Sequence, residues 1–298
     1  MFSYKTLERS VSYEYIRTFR GFTDMIIKRP ATLSAYTQDR LARGSITFTR
    51  DQAVAELGLT PGAFLDAAER LQKQGNLLRP RNGFYVVVPP QFLTWGAPPP
   101  AWYIDELMRF LDEPYYVGLL KAAELHGAAH QAVMEFQVVT NRQLKPIEAG
   151  RSRIVFYYRK EFDAVASDIK PQKTDSGRLQ LASPELTAWD LIRYAQASGG
   201  INQIATVLTE LGPKLQPNRL AALAPEFERA ALQRLGFLLD RVGQHAPAYA
   251  LAPIMTVSKA TWVELDPTDA SLPDFAPPIL ERDPRWKVVV RRAPEPDE

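Results

Sequence analysis

The chain has 298 residues, of which 46% are hydrophobic and 23% charged, a composition typical of soluble globular proteins. This length exceeds what one hydrophobic core usually holds and predicts two domains. There is no cysteine, which excludes disulfides, thiolate metal sites and a cysteine nucleophile. No segment approaches the length of a membrane-spanning helix and no signal-peptide core is present, so we expect a cytoplasmic protein without a membrane partner.

Charge is unevenly distributed along the chain, although the total is only +2. Residues 1–90 carry 13 Lys/Arg against 8 Asp/Glu, a net charge of +5. The remaining residues carry 23 Lys/Arg against 26 Asp/Glu, a net charge of −3. A basic N-terminal part is attracted to phosphate backbones, so this modest contrast favours a nucleic-acid contact in the first ninety residues.

The N-terminal part begins with aromatic residues mixed with Arg and Lys over residues 1–30, which we predict to form an arm or a dimer contact. Residues 33–43 have helical spacing and end at Gly44. Thr49 then precedes the helical segment RDQAVAEL, and Thr60 caps a second one, PGAFLDAAERLQKQ. The strand-like segments LLRPR and FYVVV follow around Asn82-Gly83.

Helix, glycine turn, capped helix and basic hairpin, in this order, predict a winged helix-turn-helix domain over residues 31–90. The alternative is a small unit that only packs or dimerises. In the first interpretation the capped helix enters the major groove of DNA, with Leu65 on its buried face and Asp66 accepting from a cytosine amino group. The predicted DNA-binding residues are Arg43, Arg50, Thr60, Gly62, Ala63, Asp66, Arg70, Lys73, Arg79, Arg81 and Asn82.

Residues 96–100, GAPPP, form the clearest linker in the chain. Residues 101–298 contain both helical and strand-like segments and predict an α+β domain. A proline-rich tail from Ala252 is expected to lie across this domain, with disorder in about the last six residues. The predicted helices are WYIDELMRFL, residues 115–131, ELTAWDLIRYAQA, INQIATVLTEL and PEFERAALQRLGFLLDRVG. The predicted strands are MEFQVVTN, SRIVFYYRK and GRLQLAS.

The second domain contains no convincing catalytic motif. His126 and His130 have the i, i+4 spacing of metal ligands, but the usual adjacent glutamate is missing. Residues 198–200, SGG, precede a helix without Walker spacing and predict a helix-breaking corner. Glu135 lacks the Glu-x-Lys strand signature of nucleases. We therefore expect no metal, no cofactor and no enzymatic activity.

The order of these segments resembles the AbiEi-type antitoxins, the transcription-regulating partners of type IV toxin–antitoxin (abortive infection) modules. The resemblance covers about residues 45–290. Its motifs are the helix–hairpin segment, YYVGLLKAAELHGAAHQ, MEFQVVTN with SRIVFYYRK, LQLASPELTAWDLIRY, SGGINQIATVLTELGPKL, LQRLGFLLDRVG and DPRWKVVV. The chain departs from the family at Arg291, where an Asn is expected, and residues 1–30 have no clear counterpart.

The resemblance implies a winged helix-turn-helix followed by a larger mixed α/β antitoxin domain with a C-terminal extended segment. It implies a repressor that binds inverted repeats in its own promoter and counteracts a nucleotidyltransferase-like toxin, usually without a stable complex. A homodimer on DNA is compatible with the inverted repeats and with the predicted dimer contact over residues 1–30. The alternatives are a stand-alone winged-helix transcriptional regulator with a ligand- or partner-sensing C-terminal domain, and a DNA-guided nuclease.

Overall fold

The structure is a computed structural model that describes residues 31–128, 134–256, 261–270 and 276–295. These residues form a mixed α+β fold, as the sequence predicts. The predicted arm over residues 1–30, His130 and residues 296–298 of the predicted disordered end lie outside the described residues. Across the described ranges, no helix combines the length and the apolar character needed to cross a bilayer.

Residues 31–88 are called the N-terminal unit below. Its helices are α1 (Leu33–Ala42), α2 (Arg50–Leu57) and α3 (Pro61–Lys73). Its antiparallel sheet has the order β1-β3-β2, with β1 (Thr47–Thr49), β2 (Leu77–Arg81) and β3 (Phe84–Val87). The elements lie where the sequence predicts them because local signals define their ends: Thr49 and Thr60 cap α2 and α3, and Gly58 ends α2 in the left-handed conformation.

The sheet of the N-terminal unit is covered on both faces. Tyr85 and Val87 of β3 belong to the core formed by the three helices. Phe84 and Val86 belong instead to the core of the rest of the chain, together with Ile46. Successive residues of a strand point to opposite faces, so β3 is buried on both sides, as a continuous apolar run such as FYVVV predicts.

The tip of the hairpin contacts the larger unit, a name used here for residues 97–295. The rings of Phe84 and Phe110 lie 5.4 Å apart between centroids. The Arg81 guanidinium donates a hydrogen bond to the Lys145 carbonyl and lies 5.7 Å from the centre of the Phe156 ring. Burial lowers the pKa of Arg81, because desolvation disfavours its charged form. The hairpin is therefore held between the helices of its own unit and the larger unit.

The predicted linker is packed against the larger unit rather than exposed. Ala97 and Pro100 are buried, and the Arg151 amide donates to the Trp95 carbonyl at 3.0 Å. A Cβ atom on Gly150 would lie 2.2 Å from that same carbonyl oxygen. Only glycine allows the backbone to approach this closely. The turn at Gly150 thus fixes the path of the chain between the two units.

The larger unit contains a six-stranded sheet of order β6-β7-β5-β4-β9-β8, in which the β5–β7 and β4–β9 pairs are parallel and the others antiparallel. Its strands are β4 (Tyr115–Val117), β5 (Glu135–Thr140), β6 (Ile147–Ala149), β7 (Ser152–Tyr158), β8 (Ile169–Thr174) and β9 (Gly177–Ala182). Its helices are α4 (Ile104–Phe110), α5 (Leu119–Leu125), α6 (Pro184–Arg193), α7 (Gly200–Leu211), α8 (Pro217–Leu223), α9 (Arg229–Arg241) and α10 (His245–Thr256).

The predicted helix over residues 115–131 is wrong at its start. Tyr115–Val117 forms β4 in the middle of the sheet, and the helix begins only at Leu119. Aromatic and β-branched residues favour strands, but three residues are too short a run to show an alternating pattern. Gly118 separates the two elements, and a Cβ atom there would lie 3.0 Å from the Val139 side chain. Pairing with β5 and β9 therefore decides the conformation of this segment.

The C-terminal segment lies across the larger unit, as predicted, although α10 extends the helical part beyond Ala252. It forms a small sheet of order β10-β12-β11, with β10 (Val263–Glu264), β11 (Glu281–Asp283) and β12 (Val288–Val290). The fully buried Trp286 lies over Gly236 of α9, and its indole donates to Asp240 at 2.7 Å. Arg291 makes two hydrogen bonds of 3.1 Å to Glu264, so this departure from the family pattern forms an ion pair.

Replacing Gly236 by alanine tests this packing. A Cβ atom at Gly236 would lie 2.2 Å from the Trp286 ring, so Gly236→Ala forces the ring to move. We expect overpacking to lower the free energy of unfolding by about 1–3 kcal/mol more than the roughly 1 kcal/mol that the higher helix propensity of alanine adds. Chemical denaturation measures the change. Gly62→Ala is the control, because nothing lies within 4 Å of its Cβ position. Equal stability of Gly236→Ala and the unmodified protein would contradict the prediction.

Candidate functional site

Helix α3 presents one face to the core of its unit and the other to solvent. Phe64, Ala68 and Leu71 are buried. Leu65 was predicted on this buried face, but the structure leaves its side chain 43% exposed. The reason is that Phe64, whose ring lies 5.3 Å from that of Tyr85, already fills the core at this level. The exposed face carries Gly62, Ala63, Leu65, Asp66, Glu69, Arg70 and Lys73.

A groove of about 560 Å³ runs between α3 and the hairpin. Leu65, Lys73 and Arg79 line it, although Arg79 belongs to β2 and the other two to α3. Of the residues predicted to bind DNA, Lys73 of the helix and Arg79 of the wing line this groove, so the fold brings one residue from each element to a single open surface. This surface is called the α3 groove below.

The charges around the α3 groove are mostly basic. Lys73 pairs with Glu69 at 2.7 Å, and its hydrogen bond and charge lower the pKa of Glu69. Arg70 and Arg79 are exposed, and neither forms an ion pair with another residue that the structure describes. Asp66 is exposed on the same face. Two guanidinium groups are thus available to a partner from solvent.

The start of α3 is open to solvent. The Thr60 hydroxyl accepts a hydrogen bond from the Ala63 amide at 3.3 Å, so this side chain serves as the helix cap. Gly62 is exposed beside it, with nothing within 4 Å of its Cβ position. Small residues at this end allow another molecule to approach the helix closely.

Arg50 and Asn82 lie together at a second position. They line a cavity of about 300 Å³ with Gly83 and Phe110, next to the start of α2. Arg50 pairs with Asp51 at 3.1 Å, and its backbone amide donates to the Gly83 carbonyl at 2.8 Å. The turn of the hairpin is therefore attached to α2 on one side and to the larger unit on the other.

The remaining two predicted residues lie apart from the α3 groove. Arg43 follows α1 and pairs with Asp39 at 3.0 Å on the surface. Arg81 contacts the larger unit through the Lys145 carbonyl and the Phe156 ring. The Arg81 guanidinium thus has partners within the protein, a role that sequence reasoning missed because it depends on the docking of the two units.

The larger unit contains a fully buried ion pair between Arg159 and Asp190. One carboxylate oxygen of Asp190 accepts from Arg159 at 3.2 Å, and the other accepts from the Tyr116 hydroxyl at 2.8 Å. Arg159 also donates to the carbonyls of Glu161 and Glu226 at 3.3 Å each. Burial raises the pKa of Asp190 to about 6, because desolvation outweighs the attraction of Arg159 and the Tyr116 hydrogen bond. The network joins α6 to the sheet.

His126 and Glu135, two candidates for catalytic roles, have partners within the protein. The His126 ring lies 2.8 Å from the Ala182 carbonyl, and burial lowers its pKa. Glu135 pairs with Arg153 at 2.9 Å. Across the described ranges, no three His, Asp or Glu side chains are arranged to bind a metal ion. Gly199 has φ +76° just before α7, which confirms the predicted helix-breaking corner.

A cavity of about 610 Å³ lies in the larger unit, between the start of α7, helix α9 and the segment at residues 265–268. Arg193 and Arg234 are among its lining residues. Arg193 pairs with Glu228 at 3.2 Å, and Arg234 donates to the Glu264 carbonyl at 2.9 Å. Both cations therefore already have partners within the protein.

These features define a two-part α+β protein in which a small unit presents an open helix and a larger unit has a closed core. Residues 116–241 match the family model described as the AbiEi antitoxin C-terminal domain. The predicted resemblance to the AbiEi-type antitoxins is thereby confirmed: residues 116–241 of the larger unit match the antitoxin C-terminal domain of this family.

The structure also resembles the crystal structure of the RV2827C protein from Mycobacterium tuberculosis. The two chains are 16% identical and superimpose with a TM-score of 0.63, over 86% of this chain and 89% of the other. At this level of identity the similarity shows a common fold and nothing more. No curated protein sequence matches the chain significantly.

Removing the charge of Asp190 tests the buried ion pair. Asp190→Asn leaves the Arg159 guanidinium buried without its counter-charge, so we expect a loss of about 3–5 kcal/mol in the free energy of unfolding. Glu135→Gln is the control, because it removes a partly exposed pair worth about 1 kcal/mol or less. Chemical denaturation compares the two variants. An Asp190→Asn protein as stable as Glu135→Gln would show that this ion pair does not hold the core.

Proposed function

We propose that this protein is the DNA-binding antitoxin of a type IV toxin–antitoxin module and represses its own promoter. In this proposal residues 31–90 are a winged helix-turn-helix domain, with α3 as the recognition helix and the β2–β3 hairpin as the wing. Residues 101–298 are the antitoxin domain, and residues 1–30 an arm. The observation that carries the DNA-binding part is the α3 groove, where an open, capped helix and a wing arginine share one surface.

The proposed complex places the start of α3 in a major groove of promoter DNA. Gly62 and Ala63 allow close approach, and Asp66 accepts a hydrogen bond from a cytosine amino group. Arg70 and Lys73 lie near the phosphate backbone, and Arg79 and Asn82 extend the contact along the wing. Thr60 supports the helix start, while Arg43 and Arg50 add backbone contacts.

The exposed face of α3 has few side chains that can read bases. Phosphate contacts therefore contribute much of the affinity, which should fall steeply with salt concentration. Specificity would come from two half-sites arranged as an inverted repeat and bound by two copies of the protein. This is the reason for proposing a homodimer on the DNA.

The wing can be tested with two neighbouring arginines that the structure separates. Arg79→Ala in the full chain should weaken binding to a duplex from upstream of its own gene. It should also lower the slope of log K against log salt concentration by about 1, because one phosphate contact is lost. Arg81→Ala is the matched control and should keep the slope, because its guanidinium contacts the larger unit. Fluorescence anisotropy titrations measure both.

An unchanged slope for Arg79→Ala would contradict the wing assignment. An equal loss of slope for Arg79→Ala and Arg81→Ala would keep the wing but contradict the separate role of Arg81, because it would mean that the hairpin leaves the larger unit when DNA binds. The full chain is needed for these titrations, because a fragment of residues 1–90 would expose Ile46, Phe84 and Val86, which belong to the larger core.

The larger unit would carry the antitoxin activity against a cognate nucleotidyltransferase-like toxin. The support for this is the family match over residues 116–241. The counteraction would be indirect, through the target of the toxin, so no stable complex of the two proteins is expected. Antitoxin activity and DNA binding would then depend on different surfaces of the molecule.

Co-expression with the toxin tests this separation. A full-length variant with Arg70→Ala, Lys73→Ala and Arg79→Ala, expressed from an independent promoter, should rescue growth as well as the unmodified protein. It should no longer repress a reporter fused to its own promoter. Asp190→Asn should lose rescue, because the core of the antitoxin domain is weakened. A folded triple variant that fails to rescue growth would contradict separate surfaces, and circular dichroism establishes whether it is folded.

A stand-alone winged-helix transcriptional regulator is the second candidate. The cavity of about 610 Å³ favours it, since the volume is suited to a small ligand that the larger unit would sense. The genomic neighbourhood separates the two functions. A toxin gene beside this one supports the antitoxin, whereas its absence supports the regulator.

A further inference from the structure

Leu65 is a large hydrophobic residue on the exposed face of α3. It lies on the first half of the helix, three residues after Gly62 and four before Glu69, so the three residues share one face. Its side chain is 43% exposed and lines the α3 groove beside Lys73 and Arg79. A single exposed leucine is common on protein surfaces, but this one lies where the proposed DNA-binding function needs side chains that recognise bases.

The chemistry of leucine limits what it can recognise. Its side chain has no hydrogen-bond donor or acceptor, so it cannot read the polar edges of guanine, adenine or cytosine. The thymine C5-methyl group is the apolar feature of the major groove, and contact with an apolar side chain removes both groups from water. Gly62 and Ala63 precede Leu65 and leave room for the helix start to reach the base edges.

We propose that Leu65 contacts the C5-methyl group of a thymine in the major groove and specifies thymine at one position of each half-site. This inference rests on the proposed DNA-binding function and adds a base-reading residue to it. The other proposed contacts have different roles: Lys73 and Arg79 of the α3 groove and Arg70 of the exposed face of α3 approach phosphates, and Asp66 accepts a hydrogen bond.

Uracil in place of thymine tests the contact directly, because it removes the methyl group and keeps the pairing edge. The probes are two duplexes from upstream of the gene, identical except that one carries uracil at every thymine position. The full-length unmodified protein should bind the uracil duplex about fourfold more weakly for each methyl contacted, the value of burying one such group. Leu65→Ala should bind both duplexes with equal affinity.

Leu93→Ala is the matched control, because Leu93 is 44% exposed and lies outside α3. It should show the same preference for thymine as the unmodified protein. Leu65 is on the surface, so its replacement should leave the melting temperature unchanged, which thermal denaturation verifies. The contact between Leu65 and the thymine methyl group is supported if Leu65→Ala loses the preference for thymine while the unmodified protein and Leu93→Ala keep it.

Other outcomes overturn the inference in distinguishable ways. Equal preference for thymine in the unmodified protein and Leu65→Ala means that the methyl groups are read elsewhere or act through DNA shape. No preference in the unmodified protein means that no methyl group is contacted. Failure of the unmodified protein to bind the thymine duplex at low ionic strength overturns the proposed DNA-binding function, and the inference with it.

Discussion

The burial of β3 on both faces is the constraint on which the arrangement of the two units depends. Tyr85 and Val87 pack under the helices of the N-terminal unit, and Phe84 and Val86 pack into the larger core. One strand therefore belongs to two hydrophobic cores, and neither can release it without exposing apolar surface to water. Through this strand the orientation of α3 relative to the antitoxin domain is set, so DNA bound in the α3 groove would hold the whole molecule in one orientation.

The larger unit contains a buried guanidinium, that of Arg159, in which each nitrogen donates a hydrogen bond. A buried ion pair stabilises a fold only when its geometry is good and its remaining donors are satisfied. Arg159 meets this condition through Asp190 and two backbone carbonyls, and its guanidinium lies 4.5 Å from the centre of the Phe227 ring. Because Asp190 lies on α6 and Arg159 follows β7, the pair specifies how the helices sit on the sheet.

The sequence predicted the elements that have strong local signals. It did not predict the elements and contacts whose conformation depends on residues distant in the chain. The caps at Thr49 and Thr60 place the starts of α2 and α3, and the corner at residues 198–200 lies where glycine predicts it. Helix α10 was missed because the proline-rich tail was predicted from Ala252, whereas the helix runs to Thr256 with Pro253 inside it; Pro247 lies in its first turn, where proline is tolerated. The same distinction applies to the candidate DNA-binding site. Its residue types were predicted, but the docking of Arg81 and the exposure of Leu65 were not.

The sequence by itself determined the order of helices and strands in the N-terminal unit and the absence of cysteine chemistry, and the order of its motifs carried the resemblance to the AbiEi-type antitoxins. The helices and strands follow from caps, turn residues and apolar periodicity, which act over a few residues. Only the tertiary structure decided that β4 is a strand, that β3 serves two cores and that Arg81 faces the larger unit while Arg79 faces solvent. These features depend on which segments, far apart in the sequence, pack against each other and exclude water. A local sequence pattern does not specify the segment against which it will pack.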